Sequence, residues 1–597
     1  MRSLPFLFLV ALAACSSGGN SSASTAPSGP DLTAIGDIQG SGATSPVADQ
    51  PVTLEAVVTG DFQDNDDDTG RNLGGFYVQG ASDGNPATSD GIFVFDGPSP
   101  ATDVSPGDLV TVTGTVKEFF GETQIQADTV TVTGAGSVQP TVVNLPAGDF
   151  ERYEGMLVVF PQTLTVSQLR FFERFGEMLL SEGGRKFAFT NLNAPSVAGY
   201  EAHQAVVEAR RVLLDDGRRD QNPGTVLSVR NGDEVTGLTG VVRYSRGSGE
   251  FGTETYRLMP TIDPPFVTVN PRPGAPQVDG TIRVATFNVN NFFSTIDTGQ
   301  DICGPASDAS CRGADSALEL ERQLAKIVTV MTMMDADIVA MVELENNASA
   351  SLAVIVDALN AAAGNAAWDF VDAGTIGGDS IKVGFIYKAG AIVPFGAHAL
   401  LDNSVDPRFD DTRNRPVLAQ TFDSVAGGER LTVLALHLKS KGSNCDLAGD
   451  PDVGDGQGNC SSTRSLAAAA IIDWIDTDPT GSGDPDFLVI GDFNTYTQGD
   501  AMTRFQSAGY ANLGAAMIGD SAYSFEFRGQ FGTLDHAVAT PSLAGQAVDA
   551  VEWHINADEA PLHDYNLEFG RDPDIFDPAS PHRASDHDPL IIGIDLR

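Results

Sequence analysis

The sequence predicts an α+β chain in which two small all-β modules precede a larger α/β domain, and three observations lead there. At 597 residues the chain is too long for one continuous core. Between Pro46 and Val138, and again between Glu154 and Phe266, short β-prone runs alternate with turn residues. Beyond Asp279 the texture changes to strands alternating with helices, the pattern of a sheet sandwich with outer helices.

The first module, 46–138, carries VTLEAVVTGDF, GGFYVQG, GIFVFDG, GDLVTVTGTVKEFF and TQIQADTVTV. About five such strands fit a small OB-like barrel. The second, 139–266, carries GMLVVFPQTLTV, GEMLLSE, RVLLDDG, GDEVTGLTGVVRYS and TYRLMPT. Gly107-Asp108 and Gly232-Asp233 open comparable strands, which hints that the two modules are related. The acidic loop Asp61 to Asp68 has the oxygen density to hold calcium but lacks the closing glutamate of an EF-hand loop, so a solvated turn is equally expected. Phe76, Tyr77, Phe119 and Phe120 are candidates for stacking on single strands, though such aromatics more often fill a core.

Residues 267–280 are Pro-rich and read as a linker. In 281–597 the strand candidates are TIRVATFNV, ADIVAMVEL, IKVGFIY, RLTVLALHL, DFLVIGDFN, LDHAVA and PLIIGIDL. Glu319 to Met334, Leu352 to Ala362 and Thr463 to Ile475 have helical apolar spacing.

The opening MRSLPFLFLVALAAC has a basic start, a short apolar run and small residues before a cysteine, the order of a secretory signal. Leu12-Ala13-Ala14-Cys15 resembles the lipobox of bacterial lipoproteins. The expectation is a signal peptide over 1–14, a lipidated Cys15, a flexible tether over 15–45, and an exported chain held to the cell envelope by its lipid alone or released outside the cell. Four cysteines remain, and export favours disulfides over zinc because no histidine lies near them. Proximity suggests the pairs Cys303–Cys311 and Cys445–Cys460.

A formal charge of −45 argues against a protein that holds phosphates by a general excess of Lys and Arg. A local basic strip or bound divalent cations are the two ways an acidic body could still take a nucleic acid. Lys439, Lys441 and Arg464 flank the predicted disulfide loop and form such a strip.

Acid, amide and imidazole side chains recur where strands exit, the usual place for a site in α/β folds. Asn288 follows VATF, Glu343 follows IVAMV, His437 follows TVLAL, Asp492 and Asn494 lie in GDFN, Asp535 in LDH, and Asp586-His587 in SDHDP. One such residue is usually a cap or turn former, but this series is hard to obtain by chance. Their chemistry suits a phosphodiester: carboxylates hold a metal that neutralises the phosphoryl oxygens, and a base and an acid serve the attacking water and the leaving alkoxide.

In this order the residues resemble the endonuclease/exonuclease/phosphatase superfamily, and NVNNFF, VELENN, KVGFIYK, HLKSKGSNC and SDHDP resemble its bacterial extracellular nucleases. The resemblance implies a DNase I-like four-layer α/β sandwich over 281–597. It implies that Asn288, Glu343 and Asp586 place the metal, Mg²⁺ with Mn²⁺ or Ca²⁺ as alternatives. Asp492 and Asn494 would position water and phosphate, while His437 and His587, the latter oriented by Asp535, would act as acid, base or transition-state donors. Lys388 is carried over as a phosphate contact, beside Lys439, Lys441 and Arg464. No acidic partner for His437 is placed, Asp379 being near but offset.

The expected activity is a metal-dependent nuclease acting on DNA or RNA, with no protein partner. A phosphatase or a sphingomyelinase-like phospholipid phosphodiesterase on the same fold is the alternative enzyme, and a catalytically dead surface-binding protein the non-enzymatic one. The β modules are expected to be accessory, because no acid/base and metal set recurs in them; a chain starting near Asp279 should therefore keep its hydrolysis of short substrates.

Overall fold

The computed structural model describes residues 31–65, 70–222, 228–248 and 254–597. Cys15, the signal segment and part of the acidic loop lie outside them.

Strands Pro51–Phe62, Gly75–Gln79, Gly91–Phe95, Asp108–Phe119 and Glu122–Ala135 form a closed barrel in the order 1-2-3-5-4. Alternation builds its core: Val52, Leu54, Ala56 and Val58 point inward from the first strand and meet Val110, Val112, Val116 and Ile125. Helix Ile35–Gln39 buries Ile35 and Ile38 against the same core. The end of the expected tether is thus part of the barrel, because two isoleucines give it something to bury. Phe76 and Tyr77 are core, whereas Phe119 and Phe120 sit exposed at a hairpin tip.

The second module repeats this topology. Leu157–Gln168, Met178–Glu182, Arg211–Leu214, Glu234–Ser245 and Thr255–Pro260 pair again as 1-2-3-5-4, including the parallel pairing of third with fifth and the return of fourth to first. The two Gly-Asp strands occupy the same place in both. The modules differ between their second and third strands, where the second carries helix Val197–Ala209. They meet tightly: a Cβ at Gly91 would lie 2.3 Å from the Gly155 backbone.

Glu154, buried at this junction, accepts the Thr123 N–H at 2.9 Å. Burial, with the nearby Glu122 carboxylate, pushes its carboxyl up to about 9. The folded state therefore binds a proton that the unfolded chain releases above its ordinary pKa of about 4.3. Stability is full below that value and falls as pH rises toward 9, by up to ~1.4 kcal/mol per pH unit. In melting curves from pH 5 to 9, Glu154→Gln is expected to flatten this fall; an unchanged slope would refute it.

The third unit is two six-stranded sheets packed face to face. One has the order Trp368–Phe370, Ile381–Lys388, Ile338–Glu345, Ile282–Phe292, Leu590–Ile594, Ala547–Glu552. The other runs Ile392–Leu401, Arg415–Ser424, Arg430–His437, Phe487–Asp492, Asp535–Ala539, Ala511–Asn512. Val284, Val342, Val383 and Ile592 of the first meet Leu418, Val433, Ile490 and Ala537 of the second. Helices Ala317–Met334 and Ala350–Ala363 cover the outside of the first sheet, and Ser461–Ile475 and Asp500–Ser507 that of the second. These are the four layers expected. Ser316 starts the longest helix by accepting the Glu319 N–H at 3.3 Å, while Glu319 accepts the Asp315 N–H. Among the described residues no helix is long and apolar enough to cross a membrane. Both expected disulfides, Cys303–Cys311 and Cys445–Cys460, are present.

Candidate active site

Register assembles the site. His437 pairs with Asp492 on the neighbouring parallel strand, and Asp492 with Asp535 on the next, so three strands present one row at one end of the sheet. On the facing sheet, Ile282–Phe292 shifts register after Asn288 and Ile338–Glu345 after Met341. Such irregularities re-aim side chains. Glu343 sits at φ +67° within one of them, and Asn291 within the other donates its N–H to Glu343 Oε2 at 3.0 Å.

Glu343, His437, Asp492, Asn494, Asp586 and His587 line a single pocket of about 620 Å³. Asp535 stands behind His587, its Oδ2 2.7 Å from Nδ1, and the same oxygen accepts the Ser524 hydroxyl at 2.7 Å. Asn288 is buried behind the wall, where its Oδ1 accepts the Asn290 N–H at 2.8 Å and shapes the bulge. Asn494 N–H donates to Asp492 Oδ1 at 2.8 Å and its amide to the Leu438 carbonyl at 3.0 Å.

The electrostatics separate the two histidines. Burial opposes charge on His587, but Asp535, Asp586 and Asp492 outweigh it and hold the imidazole well above its usual pKa. His437 is pushed well below by burial and by the Arg415 and His587 charges, so it is neutral. Its Nε2 lies 3.4 Å from Asp492 Oδ2. Burial also raises Asp492, to about 7, and Glu343, the latter with help from Asp586.

The residues fit a hard cation. Burial and the neighbouring Asp586 carboxylate both oppose charge on Glu343, which a cation held by the two would relieve, and Mg²⁺ commonly binds one or two carboxylates while keeping water. Among the described residues no group of three or more His, Cys, Asp or Glu is gathered at metal-binding geometry, consistent with so sparse a donor set.

Two of the expected phosphate contacts are corrected. Lys388 ends a strand antiparallel to Ile338–Glu345, so it lies at the far end of the sheet, bound to the Asp335 carboxylate and carbonyl. Arg464 is buried and donates to the carbonyls of Lys439, Asn459 and Gln457, holding the disulfide loop rather than a ligand. Lys439 and Lys441 do line the pocket. Burial and the Arg464 charge lower Lys441 to about 7, and it donates to the Gln457 carbonyl at 2.9 Å.

Sequence reading missed Arg312 and Arg415, both on the pocket wall. Asp379 lies 3.1 Å from Arg415 Nε and 3.7 Å from Arg312, which is why it does not serve His437. His536 faces away, as strand alternation requires, with Nε2 2.9 Å from the Thr495 carbonyl. The phenyl ring of Phe525, also unforeseen, lies 4.6 Å from the His587 ring.

The disulfide Cys445–Cys460 closes the loop whose Gln457 carbonyl accepts from Lys441 at the pocket. Cys460→Ser is expected to lower stability by about 3 kcal/mol in the chain-entropy model. A melting temperature equal to wild type under non-reducing conditions would count against this bracing.

The model described as the Endonuclease/Exonuclease/phosphatase family matches residues 285–587. No curated protein matches the chain. Among solved structures, an endonuclease/exonuclease/phosphatase from Bacteroides vulgatus is 16% identical, over 53% of this chain and 99% of that one, with TM-score 0.33. The human Nocturnin catalytic domain is 14% identical over 53% and 93%, TM-score 0.32. A mannosyl-6-phosphatase from Bacteroides thetaiotaomicron is 15% identical over 53% and 100%, TM-score 0.32.

Proposed function

Since the chain belongs to the Endonuclease/Exonuclease/phosphatase family, we propose that it is an exported, divalent-metal-dependent nuclease that hydrolyses the phosphodiester bonds of extracellular DNA or RNA. The observation that carries this is one pocket holding a charged histidine–carboxylate pair, a carboxylate pair suited to a cation, and a cationic rim. In a chain of charge −45, Arg312, Arg415 and Lys439 converging beside His437 mark a place for an anion.

When bound, the metal would neutralise charge on the phosphoryl oxygens; Glu343 and Asp586 would hold it, with Asn288 fixing the bulge beside them. Asp492, raised by burial, accepts a proton from water at neutral pH, and Asn494 fixes its orientation. The His587 imidazole donates Nδ1–H to Asp535, which leaves Nε2–H to stabilise charge on the phosphate or protonate the leaving oxygen. Neutral His437 serves as a second hydrogen-bonding partner beside Asp492.

Two disulfides support export, because such bonds persist in oxidising compartments. Lipidation at Cys15 belongs to the same proposal. The test uses protein from Ser16 onward with duplex DNA, single-stranded DNA, RNA and sphingomyelin, each with Mg²⁺, Mn²⁺, Ca²⁺ or chelator. Nucleic-acid cleavage that chelator abolishes is the expected result. Cleavage of lipid alone, or chelator-resistant cleavage, would overturn the reading.

A further inference from the structure

Between its second and third strands, where the first barrel has only 80–90, the second carries the stretch 183–210 with helix Val197–Ala209, and that stretch reaches the pocket. Strand Lys186–Phe187 pairs in parallel with Gln530–Gly532 of the third unit, and the Ala188 N–H donates to the Phe531 carbonyl at 2.8 Å. The Thr190 hydroxyl donates to the Gly456 carbonyl at 3.0 Å, the Gln498 N–H to the Thr190 carbonyl at 2.8 Å, and the Thr533 N–H to Asn191 Oδ1 at 3.0 Å. The fit leaves no slack: a Cβ at Gly456 would stand 2.9 Å from the Phe189 ring and 3.2 Å from Tyr200. These bonds set Phe189, Tyr200 and Gln204 on the pocket wall. The second β module thus lines the pocket without adding to its acid, imidazole and carboxylate set.

The pocket has two chemically different halves. The first is the acid, imidazole and cation set already described. The second is planar: Tyr200, Tyr496, Phe525 and Phe527, with the Gln204 and Gln530 amides exchanging hydrogen bonds at 3.1 and 3.2 Å. Phe189 is buried and packs on Tyr200, centroids 6.0 Å apart, so it holds the wall together. Tyr200 is only partly buried and Phe527 is exposed, so faces remain for a ligand.

A phosphodiester flanked by planar heterocycles uses both halves. In a duplex the bases stack on one another and their pairing edges are occupied, whereas an unpaired base offers a free face for an aromatic ring and a free edge for amides. Resting on the nuclease reading, we propose that the insertion 183–210 is a base-binding wall, in which Tyr200 stacks on an unpaired base beside the scissile phosphate and the Gln204–Gln530 amide pair contacts its edge. The enzyme is thereby directed to single strands, ends or loops rather than to intact duplex.

The test compares the full chain and its Tyr200→Ala, Tyr200→Phe and Gln204→Ala variants on a single-stranded oligonucleotide, the same sequence as duplex, and an abasic sugar–phosphate strand. Wild type is expected to cut the single strand faster than the duplex. Tyr200→Ala should lose roughly tenfold in kcat/KM on the single strand, mostly through KM, with little change on the abasic strand, and Tyr200→Phe should restore it. Gln204→Ala should shift the preference among bases. Equal cutting of duplex and single strand by wild type overturns the proposal. So does an equal loss by Tyr200→Ala on the based and abasic strands, which would make Tyr200 a purely structural contact. Hydrolysis of none of the three by wild type overturns the nuclease reading and the wall with it, a result separate from the other two.

Discussion

His587→Ala is expected to lower kcat by ~10²- to 10⁴-fold, the range for a lost acid or base, with metal binding largely intact. The ring is held by Asp535 at 2.7 Å from Nδ1 and lies against the Phe525 ring, which leaves Nε2 for the phosphate. Removing it takes away a hydrogen-bond donor that three surrounding carboxylates keep charged. Asp535→Asn should lose activity too while keeping the shape, since the amide cannot supply the charge that holds the imidazolium. Both variants are expected to melt near wild type, because the row at the strand ends lies outside the apolar layer between the sheets. Single-turnover rates and thermal melts check this; a folded His587→Ala protein with near-wild-type kcat would sink the assigned role.

Glu343→Gln is expected to fail in a different way. The amide still accepts the Asn291 N–H bond at 3.0 Å, so the bulge is kept, but the charge that would hold a cation is gone. The activating Mg²⁺ or Mn²⁺ concentration should rise by at least the ~10- to 100-fold typical of disturbed metal sites, and excess metal should recover part of the activity. Asp492→Asn should not be rescued by metal, because it removes the proton acceptor. Without metal, Glu343→Gln should melt at or above wild type, since burial and Asp586 already strain the ionised carboxylate. Metal titrations followed by activity and by melting temperature separate these outcomes. An unaltered metal requirement would show that Glu343 is not a ligand.

Much of this site was legible because its residues sit at strand exits, a position that local patterning reveals. GDFN and SDHDP mark two exits, and the register of Arg430–His437, Phe487–Asp492 and Asp535–Ala539 brings their side chains into one row. Lys388 misled because it was carried over from the family's order, while the strand it ends runs antiparallel to its neighbour and takes it to the far end; direction within a sheet is a long-range property. Arg464 misled because a cation near a site reads as a ligand contact, whereas burial made it a donor to three carbonyls. Arg312 and Arg415 gave no local signal, since a lone arginine beside a turn resembles ordinary surface. The wall 183–210 was beyond reach for a related reason: its pairing with Gln530–Gly532 joins positions more than 300 residues apart. A sheet sandwich with outer helices followed from alternation and helical spacing, and its four-layer form from the family resemblance.

The two barrels share a strand order, and their connections between second and third strands differ: short in the first, long and helical in the second. A connection between strands can lengthen without disturbing either barrel's interior, and here the longer version lies against the catalytic unit. The two units are thus under different structural constraints. The residues at the strand ends are placed by the register of a sheet, while the neighbouring wall belongs to a connection between barrel strands, whose length the barrel interior does not set. Relatives with altered insertions at this connection would be expected to keep the same chemistry and to differ in what they accept.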